Sequence, residues 1–157
     1  MTLTFRPATH EEYLAFRAGA TDDYVAQMVE LAGLDPEAAR AKAVADHAEI
    51  LPAEGLLDTH SLTVAEEFGH RVGILWIGPS RDKRSGPWIN DIAIDEQHRG
   101  RGFGRELMLE AERMARAAGE TSLGLNVFGG NAAAIALYTS LGYKVDAQQM
   151  SKQLTAD

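Results

Sequence analysis

Apolar and polar residues alternate along Leu3-Thr4-Phe5-Arg6-Pro7, the period of a half-buried strand. Thr9 with Glu12 three residues on makes a capping box, so a helix is expected from there through Tyr13, Leu14 and Phe16. A further helical stretch around Tyr24, Met28, Val29 and Leu31 ends near Gly33. Asp35-Pro36 sets an N-cap before a proline at the first helical position, and the alanine-rich run 37–50 extends that helix toward Pro52. Residues 61–66 and 71–77 read as strands, joined into a hairpin by Glu67-Phe68-Gly69-His70. The Gly-, Pro- and Ser-punctuated stretch 78–87 reads as a loop, with Arg81-Asp82-Lys83-Arg84 as plain surface.

Beyond it, an apolar strand (Ile89, Ile92, Ala93, Ile94) runs into a short polar connection. A helix then extends to about Ala118, with Leu107, Leu109, Met114 and Ala118 expected on its buried face. A strand at 123–128, a helix at 131–141 and a last antiparallel segment through Met150-Ser151-Lys152-Gln153-Leu154 complete the pattern. Antiparallel strands with one β-α-β crossover define an α/β layer fold. The 157 residues show no repeat or linker and are read as one domain, 1–157.

The junction of that strand and helix carries the chemistry. Arg99-Gly100-Arg101-Gly102-Phe103-Gly104 puts glycines where backbone must approach a ligand. The N–H groups of the following first helical turn favour an anion, and guanidinium groups match phosphate oxygens. A nucleoside-triphosphate loop would need Lys-Ser/Thr after the last glycine, and none follows Gly104. A dinucleotide fingerprint would need G-x-G-x-x-G and an acid ending the next strand, but 123–128 ends without one. The remaining pattern, Arg/Gln-x-x-Gly-x-Gly/Ala, is met by residues 99–104.

With that loop, the strand-Asn segment Leu125-Asn126-Val127-Phe128-Gly129-Gly130-Asn131 and the alanine-rich helix carrying Tyr138 before Gly142-Tyr143, the chain resembles the GNAT superfamily of acetyl-CoA-dependent N-acetyltransferases. The resemblance covers roughly residues 88–154. It implies a mixed, mostly antiparallel sheet with helices on both faces and a parallel pair of strands splayed apart near Ile94 and Phe128. It further implies acetyl-CoA as acyl donor. Backbone of Ile92, Ala93 and Ile94 would meet the pantetheine amides, as in partial strand addition. Arg99, Gly100, Arg101, Gly102, Phe103, Gly104 and Arg105 would surround the pyrophosphate. Tyr138 would be the acid that protonates the departing thiolate, or else an aromatic filling the core beside Leu137 and Leu141. Asn131 would contact the cofactor, serve as a helix N-cap, or do both. Asp91 leads as general base, with its pKa raised by burial, and His60 is second. His70 and His98 read as turn and loop residues.

Charge divides unevenly: residues 1–70 carry net −9 and residues 71–157 net +1, together −8. An acidic chain makes nucleic acid an unexpected partner. The acidic half is either a solvated surface or the wall of a site for a cationic amine. No apolar run reaches the ~18 residues that span a bilayer, so no membrane partner is expected. The first residues lack the apolar core of a secretion signal and the chain has no cysteine, from which a cytoplasmic setting is expected. Without Cys, direct attack in a ternary complex is favoured over a covalent cysteine route. No His/Asp cluster has metal-ligand spacing, and no metal is expected. The reading is an acetyl transfer to the primary amine of a small-molecule or peptide acceptor, with a homodimer admitted by the resemblance. The alternative is a non-catalytic acyl-CoA-binding sensor or partner module.

Overall fold

Helix α1 (His10–Ala32) starts on the capping box the sequence announces: Thr9 Oγ1 accepts from the Glu12 amide at 3.1 Å, and Glu12 accepts from the Thr9 amide at 2.8 Å. The Glu12 carboxylate also receives Arg6, and these bonds hold it down to about 2. The computed structural model describes residues 2–80 and 86–156, so the surface stretch Arg81-Asp82-Lys83-Arg84 lies outside the described residues. The two helical stretches expected before Gly33 are one helix of 23 residues, closed by Gly33 at φ 68°. Helix α2 (Pro36–Ala48) starts where Asp35 Oδ2 accepts from the amides of Glu37 and Ala38, both at 3.1 Å.

Five strands follow one another across a sheet in the order β1-β2-β3-β4-β5: β1 (Thr4–Pro7), β2 (Ser61–Glu67), β3 (His70–Pro79), β4 (Pro87–Ile94) and β5 (Gly124–Leu125). The first four are antiparallel and β5 runs parallel to β4, reached through helix α3 (Phe103–Ala117). Leu62, Ile74 and Trp76 turn to one face and pack with Tyr13 and Ala20 of α1. Leu75, Ile77 and Ile89 turn to the other and pack with Phe103, Leu107, Met108 and Ala111 of α3. Helices therefore cover both faces, as the resemblance implies.

Two irregularities in register decide which side chains reach which face. Ala65 pairs with Gly73 but Glu66 with Arg71, so Val72 is an extra residue and drops into the α3-side core. Trp76 pairs with Asp91 but Ile77 with Ile89, so Asn90 is extra on β4. Strict alternation would send Ile89 and Ile92 to opposite faces; the bulge lets both pack on the α3 side. It leaves Asp91 beside Trp76 on the α1 side.

Three expectations are corrected. The strand expected at 123–128 is only Gly124–Leu125: a Cβ on Gly124 would stand 2.6 Å from the Trp88 ring, and pairing ends at Ile89 with Leu125, where the β4 bulge begins. The last strand at 150–154 does not form, because no edge pairs with it and Met150 and Leu154 are solvent-exposed. The buried face of α3 is Phe103, Leu107, Met108, Ala111 and Ala115, while Leu109 and Ala118 face water. Leu107 and Met114 do face the core as expected, so only Leu109 and Ala118 were placed on the wrong side.

Helix α4 (Ala132–Ser140) is tied to the end of α1, where the Gly130 amide donates to the Leu31 carbonyl at 3.2 Å. A Cβ at Gly130 would collide with that same oxygen. Gly130→Ala should therefore lower stability by about 1–3 kcal/mol through overpacking. Urea unfolding should show a lower midpoint at unchanged slope. An unmoved midpoint would mean the two helices do not approach this closely.

Candidate active site

The segment between β4 and α3 turns through a short 3₁₀ helix (Glu96–His98) and then two left-handed glycines, Gly100 at φ 75° and Gly102 at φ 85°. Side-chain-bearing residues resist that conformation. No side chain caps α3. The amides of Arg105 and Glu106 return to the Gly102 carbonyl, at 3.1 and 3.3 Å. Those of Phe103 and Gly104 have no partner among the described residues. They border a cavity of about 310 Å³. Its walls are Ile92 and Ile94 of β4, Arg99 and the glycines of the loop, and Ala133, Ala134, Leu137 and Tyr138 of α4. Past Ile89 no strand pairs with the β5-facing edge of β4, so that edge is open along the cavity.

The arginines divide. Arg99 lines the cavity, with Nε donating to the Ile94 carbonyl at 3.0 Å. Arg101 does not line it, because both its Nη groups are held by Glu67. Arg105 reaches away to Ser140 Oγ at 2.6 Å. Ala93 is exposed, beside the lining Ile92 and Ile94. Asn131 is the N-cap of α4, its Oδ1 accepting from the Ala134 amide at 3.2 Å.

Tyr138 packs against the α3-side core and also lines the cavity, and its hydroxyl has no hydrogen-bond partner among the described residues. Burial raises its pKa, and the Asp91 charge adds to this, so the hydroxyl stays protonated. Asp91 lies on the other face of the sheet, beside Trp76, and is not among the residues lining the cavity, although its charge acts on Tyr138. Burial pushes its carboxyl up to about 6, the neighbouring Asp23 of α1 pushes the same way, and the Ile92 amide opposes. His60 is occupied otherwise: Nδ1 accepts from Trp76 Nε1 at 2.9 Å, which suits packing more than proton transfer. His70 opens β3 at the hairpin turn. His98, read as a plain loop residue, lines the cavity.

Sequence reasoning missed Asp23 and Glu67. Both act across long separations, and the only signal was the excess of acid in the first half. A separate groove of about 550 Å³ lies between α1 and α2, bordered by Arg17, Thr21, His47 and Glu54, and shares no residue with the cavity.

An uncapped helix start, an open strand edge and the Tyr138 phenol thus meet around one cavity. The profile of the Acetyltransferase (GNAT) family matches residues 25–143, and the chain belongs to that family. It is 27% identical to YycN of Bacillus subtilis (strain 168), called an uncharacterized N-acetyltransferase, over 98% of this chain and all of that one. The crystal structure of YycN superposes with a TM-score of 0.87, covering 99% of this chain and 100% of that one. A mycothiol acetyltransferase of Amycolatopsis mediterranei (strain U-32) is 33% identical over 92 residues, which are 55% of this chain and 31% of that one. Among the described residues no helix is long and apolar enough to cross a membrane.

The carboxyl of Asp91 should titrate with a midpoint of about 6 when followed by carbon-detected NMR. A negative neighbour disfavours ionisation, so Asp23→Asn should move that midpoint down. A midpoint in the ordinary carboxylate range, or one indifferent to Asp23, would contradict this electrostatic picture.

Proposed function

We propose that this chain transfers an acetyl group from acetyl-CoA to a primary amine by direct attack within a ternary complex. The Tyr138 hydroxyl carries this reading: protonated, without a partner among the described residues, and at the wall of the cavity that the glycine loop borders. The loop fits a pyrophosphate, since Cβ atoms at Gly100 and Gly102 would meet nothing within 4 Å and two helix-start amides are free. The open edge of β4 at Ile92, Ala93 and Ile94 fits the amides of a pantetheine arm. Bound there, acetyl-CoA supplies the activated thioester. Tyr138 then donates its proton to the departing sulfur.

Asp91 is the base of this proposal. With a carboxyl at about 6 it is largely ionised at neutral pH, yet basic enough to take a proton from the amine directly or through a water. Asp23 and Asp91 together give the acceptor side negative charge, which favours cationic or neutral amines, on small molecules or peptides, over carboxylate-rich ones. A cytoplasmic setting belongs to the same proposal and rests on the cysteine-free composition.

The primary experiment measures acceptor-dependent release of CoA thiol across a panel of amines, with Tyr138→Phe beside the unmodified protein. Loss of the hydroxyl should lower kcat by roughly 10²-fold or more if it acts as general acid. Affinity for acetyl-CoA should stay within a few fold, because one hydrogen bond is worth only about 0.5–1.5 kcal/mol. Near-normal kcat in the Phe variant would return Tyr138 to packing. Tight CoA binding with no turnover on any amine would favour the sensor reading.

Gly102→Val tests the loop. At φ 85° a β-branched side chain is strained, and its bulk would project into open space at the helix start. Calorimetry should show CoA binding weakened at least tenfold, about 1.4 kcal/mol. Unchanged affinity in the folded variant would remove this loop from the donor site.

A further inference from the structure

Between the two left-handed glycines stands a single side chain, Arg101, and it is fastened to the sheet. Its Nη1 donates to Glu67 Oε2 at 2.8 Å and its Nη2 to Oε1 at 2.6 Å, a two-pronged contact that fixes orientation as well as distance. Glu67 ends β2 with its side chain only 10% exposed, and the Arg101 guanidinium carbon lies 4.5 Å over the ring of Phe103. Phe103 is itself buried and is the first residue of α3. One side chain thus connects the end of β2, the middle of the loop and the start of the helix.

We infer that the Glu67–Arg101 pair positions the glycine loop, and that Arg101 serves a bound pyrophosphate through the backbone it holds and not through its own charge. Two glycines in succession give a loop wide conformational freedom, and ordering it would weaken binding of any ligand to its amides. An anchor from the sheet removes that freedom before the ligand arrives. The Glu67 carboxylate also cancels most of the guanidinium field at a phosphate's distance. Arg99 differs: it lines the cavity, and among the described residues only its Nε is engaged and no carboxylate pairs with it. Charge toward the anion comes from Arg99, shape from Arg101. This inference rests on reading the loop as the site of the CoA pyrophosphate.

The two roles predict opposite signs for one substitution. If Arg101 acted by charge, Glu67 would be a competitor, and Glu67→Gln would remove a neutralising carboxylate and tighten CoA binding. If it acts by position, Glu67→Gln should weaken CoA by about tenfold, the size of one charge-assisted contact. Arg101→Gln should lose a similar factor, and the double variant should lose little more than either single one. Arg101→Lys keeps the charge without the fork and is the variant of choice if Gln disturbs folding. It should bind CoA as weakly as Arg101→Gln at both low and high salt. In turnover, the advantage of acetyl-CoA over S-acetylpantetheine, which lacks the pyrophosphate, should shrink by the same factor in Glu67→Gln, while a general loss of fold would depress both donors together.

Calorimetry with CoA on the full chain, with circular dichroism confirming fold, decides it. Equal or tighter binding by Glu67→Gln, or normal binding by Arg101→Lys, overturns the positioning role while leaving the donor site intact. Failure of the unmodified protein to bind CoA overturns the donor-site reading and this inference with it.

Discussion

The parting of β4 from β5 organises everything near the cavity. A parallel pair that stayed hydrogen-bonded to its ends would close the sheet and leave no polar backbone exposed. Here pairing stops after Ile89 and Leu125, at the point where β4 carries the extra residue Asn90. Backbone groups left without a strand partner need another polar partner or water. The charge of Asp91, on the α1 face, bears on Tyr138, on the α3 face.

The two titratable groups are shifted in the same direction from opposite sides of the sheet. Asp91 belongs by register to the face of Trp76 and α1, while Tyr138 belongs by packing to the face of α3. Burial raises the pKa of both, but from different starting points. It brings the carboxyl close to neutrality and moves the phenol further from ionisation. The carboxyl thereby exchanges its proton near neutral pH, and the phenol keeps its own. Proposed donor and acceptor functions are thus divided by the sheet itself.

Local chemistry was legible in the sequence. The capping box at Thr9, the Asp35-Pro36 start and the glycine loop each depend on residues within a few positions, and each formed as expected. The Asn131 N-cap was equally readable, because an Asn ahead of an alanine run has one nearby amide to satisfy. Features that depend on distant partners were not. Glu67 and Arg101 lie 34 residues apart, so nothing in the loop announced that its arginine was engaged. The tail resembled a strand by composition, but a strand exists only where an edge receives it. The α3 stripe was misjudged by placing Leu109 inward, where the sheet instead receives Met108.

The bulge at Asn90 also bears on how such a chain can change over generations. In β4 the side an amino acid faces depends on counting. Loss of the extra residue Asn90 would restore plain alternation and leave Asp91 and Ile92 on their present faces, whereas one more residue between Ile89 and Asp91, not taken up by the bulge, would carry both to the opposite side of the sheet. Replacements at these positions alter one group at a time and leave the others in place. A gain of one residue that the bulge does not absorb reverses all of them together. Drift in this strand should therefore proceed by exchange of residues and not by change of length, with loops beyond the sheet absorbing insertions.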